Sequence, residues 1–436
     1  MITIQQSMEK ISEMTSERRE ELISELQQRY DSFRSSGISL DMSRGNPPRS
    51  QLSLNSDILN AVSDPDDCIS EDGTDCRNYG IPYGIREARE LFSQLIQAPA
   101  DNIIIGGSSS LNLMFDTISR AVTHGLAGSP RPWGKEEHVS FICPVPGYDR
   151  HYKILEYFGI GMIPVKFTGH GPDMDEVERI VSEDPSVKGI ICVPVYSNYT
   201  GDVYSPETIV RLAGMQAKAP DFIVLYDDAY VVHDLYGEPA VIPSFFDECV
   251  KAGHPERPVI FASTSKMTFA GGGICCVSFG GRNLELAKSA MSVQFITHDK
   301  INQLRHVRVL KDLRTVRERM DRFGSMLLPK FETVENTFEE QLGGFDAAEW
   351  SKPRGGYFIC FRLRHGGAKR VVAMCALAGV KLTPAGAGFP YGVDPTDSYI
   401  RIAPTFPSVD DLKKAAELLS ICSLLVALEN NTPLEV

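Results

Sequence analysis

Hydrophobic and polar positions along this chain repeat at two periods, and the changes of period mark its elements. From about Ser7 to Phe33 the chain is charge-rich, with Ile11, Met14, Leu22, Ile23 and Leu26 at helical spacing. That pattern predicts one amphipathic surface helix. An extended segment over 38–43 then meets a turn at Gly45-Asn46-Pro47-Pro48. From about Ile85 helical runs alternate with short apolar runs at 103–105, 138–142, 161–165, 189–193, 222–226, 259–262 and 273–277. Strands of that length between helices predict an α/β architecture, an open and mostly parallel sheet covered on both faces. A helical run over 300–322 has the length and charge pattern of one long bridging helix. Beyond it, apolar runs at 357–363, 380–383 and 399–403 and a closing helix near 410–428 predict a smaller α/β domain. The expected division is an N-terminal helix and segment over 1–60 that joins the small domain, a large domain over 61–325, and a C-terminal part over 326–436.

Composition narrows the function classes. The chain has 436 residues and a formal net charge of -13, which argues against a nucleic-acid partner. Its ten cysteines are scattered, apart from Cys275-Cys276, with no metal-ligand spacing, so no metal site is expected. In a chain this long they read as free thiols in a reducing compartment. The N-terminal residues include acids and lack an apolar core, unlike a secretory signal. No apolar stretch is long enough to span a bilayer, so the expectation is a cytoplasmic protein without a membrane partner.

In open parallel sheets the chemistry sits beyond the carboxyl ends of the strands, so the residues just past each apolar run matter most. After 103–105 comes Gly106-Gly107-Ser108-Ser109-Ser110 and the start of a helix, a donor-rich end that suits an anion. After 138–142 comes Cys143-Pro144-Val145-Pro146-Gly147-Tyr148, an aromatic on a stiff turn. After 189–193 comes Tyr196-Ser197-Asn198-Tyr199-Thr200-Gly201, and after 222–226 comes Asp227-Asp228-Ala229-Tyr230. After 259–262 comes Ser263-Thr264-Ser265-Lys266. Each has a plain packing or capping explanation alone. Together they offer anion donors, a flat ring, an amide, a carboxylate with a phenol, and a lysine among hydroxyls.

At these residues the chain resembles the fold-type I pyridoxal-phosphate enzymes, and within them the class I aminotransferases. Finer phrases resemble the MocR-like subgroup of bacterial aspartate aminotransferases. They are DGTDCRNYG at Asp72–Gly80, CPVPGYDRH at Cys143–His151, STSK at Ser263–Lys266, NQLRHVR at Asn302–Arg308 and RIAPTFPS at Arg401–Ser408. The resemblance runs from about Leu40 to the C-terminal helix. It implies a large domain with a mostly parallel seven-stranded sheet sandwiched by helices, a smaller α/β domain, and pyridoxal 5'-phosphate as cofactor. The implied activity is ping-pong transfer of an amino group from L-aspartate or L-glutamate to 2-oxoglutarate or oxaloacetate.

The same resemblance implies roles. Lys266 would hold the cofactor as a Schiff base and then move the substrate proton. Asp227, with Asp228 as its adjacent rival, would face the pyridine nitrogen. Tyr230 and Asn198 would bond the cofactor's phenolic oxygen, and Tyr148 would stack on the ring. Ser108 and Ser109, with Ser263 or Ser265, would hold the phosphate. Tyr79 would reach the phosphate of a neighbouring subunit, which implies a homodimer with shared active sites. Arg401 would fork the substrate α-carboxylate, a geometry lysine lacks, and Gly45 and Asn198 would complete that substrate site.

Two departures from the family pattern stand out. Tyr199 occupies a place where many members have proline. Ile274 stands where a phosphate-binding arginine is usual, leaving the amides of Gly271–Gly273 or the partner's Arg77 as replacements. A second carboxylate would need a second cation, for which Arg44, Lys300, Arg305 and His306 compete. His233 reads as a core histidine. Two rival functions share the fold: a lyase or decarboxylase using Lys266 and Asp227, and an amino-acid-sensing regulator. The regulator would carry a basic DNA-binding segment, whereas the residues before Gly45 are rich in acids.

Overall fold

Consecutive residues of the central apolar runs face opposite ways, and both faces are apolar, so these runs form strands buried on two sides. Ile223 and Leu225 enter one hydrophobic cluster, while Val224 and Tyr226 enter the other. The structure is a computed structural model that describes residues 10–430. In chain order its strands are β1 (Leu40–Asp41), β2 (Ile103–Ile105), β3 (Ser140–Val145), β4 (Gly161–Lys166), β5 (Val187–Cys192) and β6 (Ile223–Asp227). They continue as β7 (Pro258–Ser263), β8 (Cys275–Phe279), β9 (Ala348–Trp350), β10 (Ile359–Leu363), β11 (Val380–Lys381) and β12 (Tyr399–Ile402).

Seven strands form one sheet in the order β2-β8-β7-β6-β5-β3-β4. Only β8 runs antiparallel to its neighbours; the other pairings are parallel. Helices Asp149–Tyr157, Met174–Glu183, Pro206–Gly214 and Phe245–Lys251 make the crossovers from β3 to β7. The mostly parallel seven-stranded sheet expected from the sequence is the one observed. The run expected over 138–142 starts at Ser140, because His138 is exposed, and extends to Val145 opposite Lys166. Strand β3 has β4 on one side and β5 on the other, so the strand order reverses between β3 and β5. A crevice at the carboxyl ends of β3 and β5 results from that reversal.

The remaining strands form a three-stranded antiparallel sheet, β12-β10-β9, and a parallel pair, β1-β11. The N-terminal helix runs Ser16–Ser35, capped by Thr15, whose hydroxyl accepts from the Arg18 amide at 3.2 Å. It starts later than the spacing predicted, with a short 3-10 turn at Ile11–Glu13 before it. Ser7 lies outside the described residues. The closing helix Val409–Asn430 is buried around most of its circumference, packed against helices Ser16–Ser35 and Leu313–Leu342.

The single bridging helix expected over 300–322 is two helices, Lys300–Leu310 and Leu313–Leu342. Lys311 breaks the run at φ 52°, and Asp312 caps the second helix through the Thr315 amide at 2.8 Å. Neither glycine nor proline marks the break, so the charge pattern runs through it unbroken. The second helix then carries the chain from one sheet system to the other, with the expected boundary at 325–326 inside it.

All ten cysteines are buried and unpaired. Among the described residues, no helix is long and apolar enough to cross a membrane, and no cluster of metal-ligating side chains occurs.

Candidate active site

The strand ends converge on a cavity of about 190 Å³ at the reversal point of the sheet. Ser108 and Ser109 enter it from the turn after β2, and Tyr148 from the turn after β3. Asn198 enters after β5, Asp227 and Tyr230 at the end of β6, and Ser263, Ser265 and Lys266 at the end of β7. A larger cleft of about 770 Å³ opens on the other side of the Asn198–Gly201 turn, beside Phe389 and Tyr391, and contains none of these groups.

One end of the cavity is built for an anion. Ser109 is the cap residue of helix Ser110–His124, yet its hydroxyl makes no cap bond and stays available. The helix presents its first amides there, four of which have no partner within the helix. The Ser265 hydroxyl donates to the Ser108 carbonyl at 2.7 Å, joining the two turns. Gly273 lies directly beneath: a Cβ on it would stand 2.8 Å from the Ser265 nitrogen. Ile274 is buried, and its amide donates to the Thr264 hydroxyl at 2.9 Å, which leaves no place for a guanidinium there.

The opposite end carries the carboxylate. Asp227 is buried, and its Oδ2 lies 2.9 Å from His151 Nε2. Its Oδ1 has no partner. Asp228 points away from the cavity, and burial, then the charge of Asp227, push its carboxyl well above the ordinary range. Two adjacent aspartates are therefore unequal: Asp227 has a histidine partner and Asp228 has none. His151 is not among the expected site residues, although it stands in the CPVPGYDRH phrase three residues after Tyr148. One helical turn separates the two, and their rings meet edge-on at 4.9 Å.

Between these ends, Lys266 Nζ lies 4.6 Å from the centre of the Tyr230 ring. Burial raises the Tyr230 phenol well above its ordinary value, while the Arg401 charge and a hydrogen bond from Asn198 pull against it. Arg401 is itself buried, on β12. Its Nη1 donates to Asn198 Oδ1 at 2.9 Å and its Nη2 to the Ser43 carbonyl at 3.3 Å, while Nε has no partner. The guanidinium lies 4.5 Å from the Phe358 ring centre and 5.7 Å from that of Tyr199. Gly45 is required by this packing: a Cβ there would stand 2.8 Å from the Phe358 ring. Tyr199 is buried and packs so closely on Gly388 that a Cβ at 388 would fall 2.6 Å from its ring.

Other candidates are committed elsewhere. Lys300 Nζ donates to the carbonyls of Asn78 at 2.6 Å and Gly80 at 2.9 Å, so it braces that loop. His306 is buried between the Thr268 hydroxyl and the Asn302 carbonyl, and burial lowers its pKa, so it serves as a neutral brace. Arg77 pairs with Asp75 in its own chain at 2.6 Å. Tyr79 is 77% exposed and lies outside the cavity of its own chain. His233 is buried, and desolvation, then the Lys266 charge, lower its pKa to about 3.

Comparison with known families matches residues 14–433 to aspartate amino-transferase. The chain belongs to that family. A Mycolicibacterium smegmatis protein named as an aminotransferase is 44% identical over 407 residues, covering 93% of this chain and 95% of the other. The aspartate aminotransferase of Corynebacterium glutamicum is 39% identical over 406 residues, 93% of this chain and 94% of that one. The solved structure of an aspartate transaminase from Corynebacterium glutamicum superposes with a TM-score of 0.94 at 38% identity, over 98% of this chain and 100% of its own. A more distant fold relative is an α-aminoadipate aminotransferase of Thermus thermophilus, complexed with N-(5'-phosphopyridoxyl)-L-leucine. Its TM-score is 0.71 at 19% identity, over 94% of this chain and 98% of the other. The protein is an aminotransferase of the fold-type I class, and its family implies pyridoxal phosphate. Membership also removes the lyase and regulator alternatives.

Proposed function

We propose that this enzyme transfers the amino group of L-aspartate or L-glutamate to 2-oxoglutarate or oxaloacetate, with pyridoxal 5'-phosphate held in the cavity at Lys266. The observation that carries this reading is the unpartnered Oδ1 of buried Asp227, a residue that lines the same cavity as Lys266. A buried carboxylate oxygen without a donor is costly unless a ligand supplies one, and a protonated ring nitrogen is such a donor.

The residues present fit the group. Asp227 would hold the ring nitrogen protonated, with His151 fixing the carboxylate from behind. Tyr148 would lie against the ring, and Tyr230 with Asn198 would bond its phenolic oxygen. Ser108, Ser109, Ser263 and Ser265 would surround the phosphate with hydroxyls, beside the helix amides. Among the described residues, no arginine of the same chain lines that end, so the amides of Gly271–Gly273 and a partner subunit are the sources of compensation. Tyr79, exposed on its own chain, would enter the neighbouring site in a homodimer. When bound, the cofactor supplies the electron sink for breaking the bond between the substrate Cα and its hydrogen.

This chain's residues do the rest. Arg401 would take the substrate α-carboxylate in a fork, with Asn198 and the Gly45 segment holding the guanidinium in place. Lys266 Nζ would first anchor the cofactor and then carry a proton to and from the substrate Cα. Kinetics would be ping-pong, the first 2-oxo acid leaving before the second enters. Arg44, exposed next to the Ser43 carbonyl that Arg401 binds, is the strongest candidate for a distal carboxylate, with Arg305 second. The proposed domains are 1–60 with 326–436, and 61–325, and the proposed setting is the cytoplasm. Within the family, the proposed placement is the MocR-like subgroup.

Borohydride reduction of the purified enzyme, with peptide mapping of the product, tests the assignment. A reduced adduct on Lys266 is expected. Adding aspartate alone should convert the visible band to that of the amine form of the cofactor. An adduct elsewhere, or no response to either aspartate or glutamate, would overturn the reading.

A further inference from the structure

Lys266 must hold a reactive amine still at one stage and free it at the next, so whatever fixes its backbone bears on the chemistry. Its carbonyl is held from far away in sequence. Gln51 is buried on the short helix Arg49–Ser53, and its Nε2 donates to the Lys266 carbonyl at 3.1 Å and to the Tyr357 hydroxyl at 2.9 Å. The Tyr357 hydroxyl in turn lies 3.3 Å from Gln51 Oε1 and 3.4 Å from the Lys266 carbonyl. It has one proton, so it serves one of these acceptors at a time. The next residue, Phe358, packs on the Arg401 guanidinium and against Gly45. Two adjacent side chains thus touch the two poles of the site, one at the lysine and one at the carboxylate-binding arginine.

We propose that Gln51 and Tyr357 are positioning residues that couple carboxylate binding at Arg401 to the setting of Lys266. The proposal rests on reading Lys266 as the cofactor-bearing amine. A carboxylate entering the site competes for Arg401 with Asn198 Oδ1, the Ser43 carbonyl and the Asp149 carboxylate 3.7 Å from Nη1, so the guanidinium shifts against Phe358. Phe358 cannot yield toward Gly45, where even a Cβ would collide. The displacement therefore passes to Tyr357, whose hydroxyl divides its proton between Gln51 and Lys266. Both Gln51 and Tyr357 are almost fully buried, so water cannot absorb the change by replacing a lost bond. The titratable groups around Lys266 are Tyr148, Asp227, Tyr230, His233 and Tyr357. Two of these, Tyr230 and Tyr357, also meet each other, ring centres 5.9 Å apart.

The test is a pH titration of the visible band of the cofactor-loaded enzyme, with and without succinate as an unreactive carboxylate probe. In the wild type, succinate should move the midpoint by about one pH unit. Tyr357→Phe, which keeps the ring, and Gln51→Leu should each remove most of that shift. The double variant should behave like either single one, since both act through one network. kcat for aspartate should fall about tenfold while KM changes less than about twofold. A merely structural role would lower the melting temperature and leave the succinate shift intact. A shift unchanged in both single variants, or absent from the wild type, overturns the coupling. A loaded wild type with no borohydride-trapped adduct on Lys266 would instead strike the reading beneath it.

Discussion

His151 Nε2 lies 2.9 Å from Asp227 Oδ2, and both side chains are buried. That contact fixes which carboxylate oxygen is left to face the cavity. It also separates Asp227 from Asp228, which has the same chemistry one residue away and no such partner.

Replacing His151 with leucine leaves a buried carboxylate without its donor, and hydrogen bonds to charged groups contribute about 1.5–3 kcal/mol. The expected result is a loss of roughly 10- to 100-fold in kcat with aspartate, from the conversion of those energies. His151→Asn, which retains a donor, should recover part of it. Steady-state kinetics on both variants check this, and equal loss in the two would contradict the assignment.

Asp228 gives the opposite expectation. Its folded pKa is raised, so its stabilising contribution is full below the ordinary carboxylate pKa and is lost as pH rises through the folded value. Asp228→Asn should therefore be more stable than wild type near pH 8, with the difference closing toward about pH 4. Activity should stay within about threefold of wild type, since asparagine resembles the protonated acid. Urea midpoints at the two pH values, with an activity assay, read both effects.

Arg401→Lys keeps the charge but loses the planar fork and its hold on Asn198. kcat/KM for aspartate should drop by about two orders of magnitude, equivalent to roughly 2.7 kcal/mol. The visible spectrum should persist, because the cofactor would be anchored at Lys266 and Asp227, whose own bonds do not involve Arg401. Loss of the spectrum along with activity would move Arg401 out of the substrate role.

Tyr79 is the large side chain left open beside the Lys300 loop, and a homodimer gives it a place in the neighbouring site. Sedimentation should find a dimer. Tyr79→Ala should weaken cofactor affinity by about tenfold, about 1.4 kcal/mol, without changing the melting temperature of the cofactor-free protein. A monomer that binds cofactor with undiminished affinity would rule this out.

The chain alone determined what local chemistry can determine. Apolar runs with both faces apolar become strands buried on two sides, and Lys266, Asp227, Asn198 and Ser109 sit past those strands by position alone. Tertiary structure decided the pairings across long separations. Asp227 meets His151 across 76 residues, Arg401 meets Asn198 across 203, and Gln51 meets Lys266 across 215. None has a periodicity to announce it, because each is set by where helices and strands come to rest. The break at Lys311 was hidden for a similar reason: its left-handed φ is held by packing and by the Asp312 cap, with no glycine to mark it. Between the two neighbouring aspartates the spacing to Tyr230 already favoured Asp227; what only the fold supplied is the distant histidine that pairs with its carboxylate, since no local pattern links positions 151 and 227.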